Sequence, residues 1–284
     1  MDLNNLILFL ILIAFNFFYY NYFLSILNKY NTKFLIDDQF GKPQAFHESA
    51  ISIAGGLGLF LSLIIILCNF FLYKKVIFFE YLSICTMFFL LGFLDDIRIN
   101  VKATVRLCLM IILLIFLMKY NNLYIEKTGI EFLDKIISDS QLFSLIFICL
   151  CFLFVINGAN LIDGYNGLLG FHSLIILINL FIINYLSANN DIASLLFFVI
   201  IILIIFLIYN FPKAKVFLGD SGSYFLGAFI ALATIKTSIL NPAISPFYFC
   251  IILFYLFFEV FFSFFRKIFF VGQNPLLPDE NHLH

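Results

Sequence analysis

The stretch LLGFLDDIRIN, residues 90–100, runs from apolar side chains that suit lipid into two adjacent carboxylates, Asp95 and Asp96. Its apolar part belongs to one of nine mostly apolar segments, and a membrane-spanning helix needs about 20 such residues. The nine segments cover residues 3–27, 50–72, 77–94, 103–118, 141–157, 168–187, 192–211, 221–238 and 243–265. The sequence therefore predicts an integral membrane protein in which the two carboxylates come where a span ends.

The composition agrees with a membrane environment, because 63% of the residues are hydrophobic, only 12% are charged and the mean hydropathy is +1.08. Stretches such as LSLIIIL are apolar on every face instead of alternating, which indicates helices and not the strands of a barrel. We find no internal repeat and no soluble domain. We therefore expect an all-α, polytopic helical bundle of about nine transmembrane helices that forms a single domain over residues 1–284.

The loops between the spans differ in charge and in motif content. If the spans alternate, the loops at 28–49, 95–102, 158–167, 212–220 and 266–284 share one side. With the boundary residues Arg106 and Lys236 assigned to their nearer loops, this side carries ten Lys and Arg against six on the other. Positive charge is retained on the cytoplasmic side, so we expect this set to be cytoplasmic. The same side holds GKPQAFHES, LDDIRINVK, INGANLIDGYNG, KVFLGDSGS and NPLLPDENHLH. Five dispersed motifs at one face predict a composite site at the cytoplasmic face of the membrane.

The paired aspartates are costly in isolation, because carboxylates near a helix C-terminus oppose the helix dipole and repel each other. A pair of this kind could simply mark a helix end in the headgroup region. A hard divalent cation would remove both objections, since Mg²⁺ takes one or two carboxylates and lets substrate phosphates complete its shell. Asp220 in FLGDSGS is a second candidate ligand, and its flanking glycines permit a close approach of backbone to phosphate. The alternative for FLGDSGS is a turn in which Asp or Ser caps the next helix.

The motif NGANLIDGYNG places four polar side chains at steps of three, along a slowly turning helical stripe: Asn157, Asn160, Asp163 and Asn166. These groups could bind a nucleobase or help to hold a metal ion. The alternative is a glycine-rich helix break in which the asparagines cap exposed backbone groups.

Cationic and imidazole side chains lie in the same set of loops. Lys42, His47 and Arg266 suit anionic lipid or substrate phosphates, and headgroup anchoring is their simpler role. His282 and His284 stand two residues apart, a spacing that does not suit zinc binding from one helix face. Either imidazole could instead hydrogen-bond phosphoryl oxygens or carry a proton.

In chain order, GG in SIAGGLGLF, GFLDD, NLIDGYNGL, FLGDSGSYFLG and PDENHLH resemble the polyprenyl-phosphate N-acetylhexosamine-1-phosphate transferases. These enzymes are the WecA-like branch of the family that also contains the MraY translocase, and the resemblance covers residues of about 37 to 284. It implies Mg²⁺- or Mn²⁺-dependent transfer of an N-acetylhexosamine 1-phosphate from a UDP-sugar to polyprenyl (undecaprenyl) phosphate, with release of UMP. It also implies the initiating step of lipid-linked cell-envelope glycan synthesis, such as lipopolysaccharide or cell wall, at the bacterial inner membrane.

The motifs and the resemblance together assign three groups of site residues. The catalytic candidates are Asp95, Asp96, Asp163, His282 and His284; the substrate-binding candidates are Lys42, His47, Asn157, Asn160, Asn166 and Arg266; the metal candidates are Asp220 and Asp96. The expected partners are the UDP-N-acetylhexosamine, the polyprenyl phosphate and membrane lipid, with no nucleic acid, and a homodimer stays open.

The chain departs from the family pattern in two places. Asn166 stands where many members have a second aspartate. The chain ends at His284, before the one or two further spans of the family pattern, so we expect either a truncated sequence or an unusually short branch. Two other classes stay open. A cation or solute transporter would line its path with the aspartates and with Glu259, a carboxylate at membrane depth. A noncatalytic remnant would bind polyprenyl phosphate without turnover.

Overall fold

The computed structural model describes residues 3–23, 25–26, 35–37, 51–99, 101–125 and 127–271. Eleven α-helices run through these residues: α1 (Leu3–Phe18), α2 (Gly55–Asn69), α3 (Phe79–Asp96), α4 (Ala103–Tyr120), α5 (Glu131–Asp139), α6 (Gln141–Ile162), α7 (Leu168–Leu186), α8 (Asn190–Asn210), α9 (Gly219–Leu240), α10 (Pro246–Ile252) and α11 (Phe254–Arg266). Wider π-helical turns extend α1, α2 and α11 over Tyr19–Phe23, Phe70–Lys74 and Lys267–Val271. Two short antiparallel strands, β1 (Ile36–Asp37) and β2 (Ile51–Ser52), precede α2. The architecture is that of a polytopic helical membrane protein.

Among the residues that the structure describes, fewer helices qualify as membrane spans than the nine that the sequence predicts. Among the described residues, seven helices are long and apolar enough to cross a membrane, namely α1, α2, α4 and α6 to α9. The number becomes eight if α10 and α11 form one span, which is bent by 66° at Leu253. The predicted span 77–94 forms α3, whose 18 residues include three acidic ones, Glu80, Asp95 and Asp96. About nine spans are therefore not confirmed.

Helix α9 forms the centre of the bundle, and every residue from Ser221 to Thr234 is buried. Glycines let its neighbours approach it closely. A Cβ added at Gly92 in α3 would overlap the backbone carbonyl of Asp220, and one at Gly227 in α9 would lie 2.7 Å from the Cα of Ile156 in α6. Two helix backbones can meet only where no side chain separates them. This packing brings the end of α3 and the start of α9 together.

The close contact at Gly92 predicts a large effect of one added methyl group. We expect Gly92→Ala to lower the free energy of unfolding by about 3 kcal/mol, since the group meets backbone that cannot rotate away. Thermal unfolding in detergent, followed by size-exclusion chromatography, measures this loss. Leu90→Ala on the same helix is the control, because Leu90 is exposed on the bundle surface. Equal midpoints for both variants would contradict the close packing.

The segment before α9 is held by backbone hydrogen bonds to β2 and to the start of α2. Phe217 N donates to Ser52 O at 2.7 Å, and Gly55 N donates back to Phe217 O at 2.9 Å. The hydroxyl of Tyr19, at the end of α1, donates to Ala54 O at 2.9 Å. The N-terminal end of α9 is thus fixed by contacts from the start of α2 and the end of α3, while α1 supports the start of α2, and this is the end that carries Asp220.

Candidate active site

Asp96 joins the C-terminal end of α3 to the N-terminal end of α9. Its Oδ1 accepts from Asp220 N at 2.8 Å, and its Oδ2 accepts from Ser221 N at 3.0 Å. The expectation that the paired aspartates come where a helix ends is confirmed, because α3 ends at Asp96. The positive end of the α9 dipole and two backbone donors offset part of the cost of this buried carboxylate, although burial and the charge of Asp220 still raise the pKa of Asp96 to about 7.

The start of α9 is not capped in the way that the alternative interpretation of FLGDSGS predicts. The N-cap residue is Leu218, which provides no side-chain hydrogen bond, so a cap by Asp or Ser of the motif itself is wrong. Both glycines of the motif are packed against protein. A Cβ on Gly219 would lie 2.8 Å from Asp96 Oδ2, and one on Gly222 would lie 2.8 Å from the Cα of Gly56. The two glycines therefore allow α2, α3 and α9 to pack closely where they meet.

Asp95 forms an ion pair with Arg106, which lies in the first turn of α4. The same guanidinium nitrogen, Nη1, is 3.8 Å from Asp220 Oδ2, and the guanidinium carbon lies 5.7 Å from the centre of the Tyr224 ring. Sequence reasoning counted Arg106 only as a loop cation. The available signal was its position, since Arg106 comes just after the short loop that follows the aspartate pair. When two helices are joined by a short loop, the first turn of the second helix lies near the end of the first.

Asn160 completes the surroundings of Asp220. Its Nδ2 donates to Asp220 Oδ1 at 2.8 Å and to Ser223 Oγ at 3.0 Å. One oxygen of the Asp220 carboxylate thus accepts from an amide, and the other lies near a guanidinium. The Asp220 side chain is still 40% exposed, so its carboxylate is ordered and open to a ligand.

Asp163 follows the last residue of α6 and is half-buried. Burial raises the pKa of this carboxyl group well above its usual 3.8, and the negative charges of Asp220 and Asp96 raise it further. Asp163 therefore lies close enough to both aspartates to be affected by their charge. Among residues 3–271, so far as the structure describes them, no three His, Cys, Asp or Glu side chains form a ready set of metal ligands.

The raised pKa of Asp163 predicts a pH dependence of stability. The folded protein binds this proton more tightly than the unfolded chain does, so stability falls as pH rises above the unfolded pKa, about 4. The loss ends once pH passes the raised folded pKa. We expect the unfolding midpoint of the protein in EDTA, relative to Asp163→Asn, to fall as the pH rises above about 4 and to become constant once the pH exceeds the raised pKa of Asp163. A constant difference between the two proteins would contradict this electrostatic account.

The structure does not bring Asn157 and Asn166 into the cluster around Asp220. Asn157 Nδ2 donates to Leu153 O in its own helix at 2.8 Å, and Asn166 Nδ2 donates to Pro212 O at 3.1 Å. The predicted helical stripe is wrong beyond Asn160, because α6 ends at Ile162 and the chain turns there.

The remaining predicted residues lie farther along the chain or outside the described part. Arg266 ends α11, and Glu259 is buried within that helix, which packs on α6. Lys42, His47, His282 and His284 lie outside the described residues. The roles of these six residues stay predictions.

The structure gathers five predicted site residues from three helix ends that are distant in sequence: Asp95, Asp96, Asn160, Asp163 and Asp220. Fold and site together define a polytopic membrane protein with a carboxylate-rich cluster at the ends of its helices. The model of the glycosyl transferase family 4 matches residues 78–238, which is more than half of the chain. The chain belongs to this family, and the resemblance drawn from its motifs is confirmed.

Similar proteins fall into both branches of the family. The chain is 32% identical over 203 residues to the phospho-N-acetylmuramoyl-pentapeptide-transferase of Dictyoglomus turgidum, over 69% of this chain and 62% of that protein. It is 29% identical over 240 residues to the undecaprenyl-phosphate alpha-N-acetylglucosaminyl 1-phosphate transferase of Thermotoga maritima, over 84% of this chain and 68% of that protein. A probable undecaprenyl-phosphate N-acetylglucosaminyl 1-phosphate transferase of Bacillus subtilis is 35% identical over 46% of this chain and 36% of its own length. The chain spans about two thirds of the length of the first two.

Proposed function

We propose that this protein transfers an N-acetylhexosamine 1-phosphate from a UDP-sugar to polyprenyl phosphate and releases UMP. The observation that carries the proposal is the arrangement around Asp220. This open carboxylate stands at the start of α9, with Arg106, Asn160 and the buried Asp96 fixed around it. Catalysis of phosphoryl transfer rests mainly on positioning and on the stabilisation of phosphate charge, and the cluster offers both.

A hard divalent cation, Mg²⁺ or Mn²⁺, fits the oxygen donors of this cluster. Asp163, Asp96 and Asp220 repel one another, as the raised pKa of Asp163 reflects, so a cation would lower the cost of keeping them ionised. Asp220 would hold the ion, with Asp163 beside it. When bound, the ion would neutralise charge on the donor phosphates.

The protein side chains would act on the two phosphate groups. Arg106 is a planar donor that can bind phosphate oxygens in pairs, and its contact with Asp95 and Asp220 holds it at the cluster. An oxygen of the lipid phosphate attacks the β-phosphorus, the bond from that phosphorus to UMP breaks, and a lipid-linked sugar diphosphate forms. Asp95 and Asp163 would keep the lipid phosphate deprotonated, and the raised pKa of Asp163 suits its ionised carboxylate to accept a proton.

The location follows from the two substrates. A nucleotide sugar is soluble and polyprenyl phosphate is held in the bilayer, so their phosphates can meet only at a membrane surface. We place this reaction at the cytoplasmic face of a bacterial inner membrane, because the positively charged loops and the motif loops share one side of the predicted topology. The product would start a cell-envelope glycan.

The experiment uses the full chain in detergent with undecaprenyl phosphate, Mg²⁺ and three donors: UDP-N-acetylglucosamine, UDP-N-acetylgalactosamine and UDP-N-acetylmuramoyl-pentapeptide. We expect UMP release with one of the N-acetylhexosamine donors, and none when the lipid phosphate or the metal is left out. UMP from the pentapeptide donor alone would assign the other branch of the family. No UMP from any donor would overturn the proposal and favour transport, for which the buried Glu259 is the best support.

A further inference from the structure

We propose that Asp96 is a positioning residue, which acts through the backbone of α9 to hold Asp220 and does not itself touch metal or phosphate. This inference rests on the proposed function, since Asp220 is the group so held. It assigns different tasks to two adjacent aspartates that the sequence presents as an equivalent pair.

Two hydrogen bonds of Asp96 come from backbone donors only one residue apart, and the Ser221 side chain adds a further hydrogen bond. Asp220 N and Ser221 N are among the first N–H groups of α9, which have no partner within their own helix. Both receive an Asp96 oxygen, at 2.8 Å and 3.0 Å, while the N-cap residue Leu218 contributes no side-chain bond. One carboxylate therefore fixes the direction of the first turn of α9 from a different helix.

The surroundings of Asp96 leave its carboxylate enclosed by protein. Asp96 is 6% exposed, whereas the Asp220 side chain is 40% exposed. Gly219 has a φ of +78°, and a Cβ at this position would lie 2.8 Å and 3.0 Å from the two Asp96 oxygens and 2.9 Å from Ile53 O. Backbone thus covers the side of the carboxylate that faces α9, and the open carboxylate of the junction belongs to Asp220.

Asp95 differs from Asp96 in the kind of partner it has. Its carboxylate pairs with the Arg106 side chain and not with the backbone of α9. Asp95→Asn is therefore a matched control, because it removes the neighbouring negative charge and leaves the two Asp96 bonds to α9 in place. Asp96→Asn keeps one acceptor oxygen but turns an amide donor toward a backbone N–H, so one of these two bonds is lost.

The first measurement is residue-resolved hydrogen exchange of the full chain in EDTA, without donor or acceptor. We expect the amides of Asp220 and Ser221 to exchange slowly, and about tenfold or more faster in Asp96→Asn but not in Asp95→Asn. The amides of Asp191 and Ile192, in the first turn of α8, are the internal reference for a helix start without a side-chain cap, because the N-cap residue Asn189 makes no side-chain hydrogen bond there. Fast exchange of Asp220 and Ser221 in the unmodified protein would overturn the proposal even if Asp96→Asn did not fold.

The second measurement is Mn²⁺ binding by electron paramagnetic resonance on the same proteins. Loss of a group that orients a ligand weakens metal binding by about 10- to 100-fold without abolishing it, and we expect this of Asp96→Asn. If Asp96→Asn left the exchange of the Asp220 and Ser221 amides unchanged but abolished Mn²⁺ binding, Asp96 would be a direct metal ligand. If these amides exchanged faster while the Mn²⁺ affinity stayed the same, the cap would be purely structural. Either result overturns the proposal. Failure of the proposed function looks different, since the unmodified protein would then neither bind Mn²⁺ at Asp220 nor release UMP, with the slow amides unaffected.

Discussion

Asp220→Asn is expected to lower the rate of UMP release by about a thousand-fold, with the protein still folded. Asp220 is the exposed carboxylate of the cluster and the one on which Asn160 and Arg106 converge. The amide keeps the size and one acceptor oxygen of the side chain but loses the negative charge that a cation requires. Initial rates at saturating donor and acceptor, over a range of Mg²⁺ concentrations, measure the effect.

Asp191→Asn is the control for this substitution. Asp191 is also an aspartate in the first turn of a long helix, and its partner is Lys74 at 3.9 Å, far from the cluster in the fold. We expect its rate to equal that of the unmodified protein. Equal rates for Asp220→Asn and the unmodified protein would remove Asp220 from the reaction.

Arg106→Ala is expected to lower kcat by about 100- to 1,000-fold. The substitution leaves Asp95 and Asp220 without the guanidinium that contacts both of them, and it removes the cation that could meet the transferred phosphate. Arg106→Lys should recover part of the rate, because a single ammonium group carries the charge but cannot bind in the same paired geometry. Measurement of kcat and KM for both variants tests this order.

Lys236→Ala is the matched control for Arg106→Ala. Lys236 pairs with Glu80, so it joins α9 to α3 at the end of the bundle opposite the cluster, and it is about as exposed as Arg106. Its loss should affect stability slightly and leave kcat unchanged. A fall in kcat as large as that of Arg106→Ala would mean that helix pairing, and not the charge of Arg106, determines the rate.

The positions of the helices could be predicted from the sequence because apolar runs of about 20 residues have few alternatives in a membrane. The errors arise where polar and apolar signals mix. Helix α3 ends in two aspartates, and the segment 243–265 is mostly aromatic and apolar although its helix breaks at Leu253. Hydropathy measures suitability for lipid, and it carries no information about a bend between two apolar helices.

The candidate site could be predicted as a set of residue types but not as a set of contacts. Asp96 caps a helix that begins 123 positions later, at Gly219, and a distant cap of this kind has no local signature. In the sequence, Arg106 cannot be distinguished from the other Lys and Arg residues near the loops, because its proximity to Asp220 arises only in the folded chain. The helical stripe in NGANLIDGYNG failed for a similar reason, since the turn after Ile162 places Asn166 against Pro212 instead of Asp220.

The central claim is that this site transfers a phosphorylated sugar and not the sugar alone. The most direct test uses a UDP-N-acetylhexosamine with a radioactive label in its β-phosphate, incubated with the full chain, undecaprenyl phosphate and Mg²⁺. We expect the label to move into the lipid fraction, in amounts equal to the UMP released, and Asp220→Asn to lower both rates by about a thousand-fold. Label retained in UDP while sugar enters the lipid fraction would mean ordinary glycosyl transfer and would contradict the account.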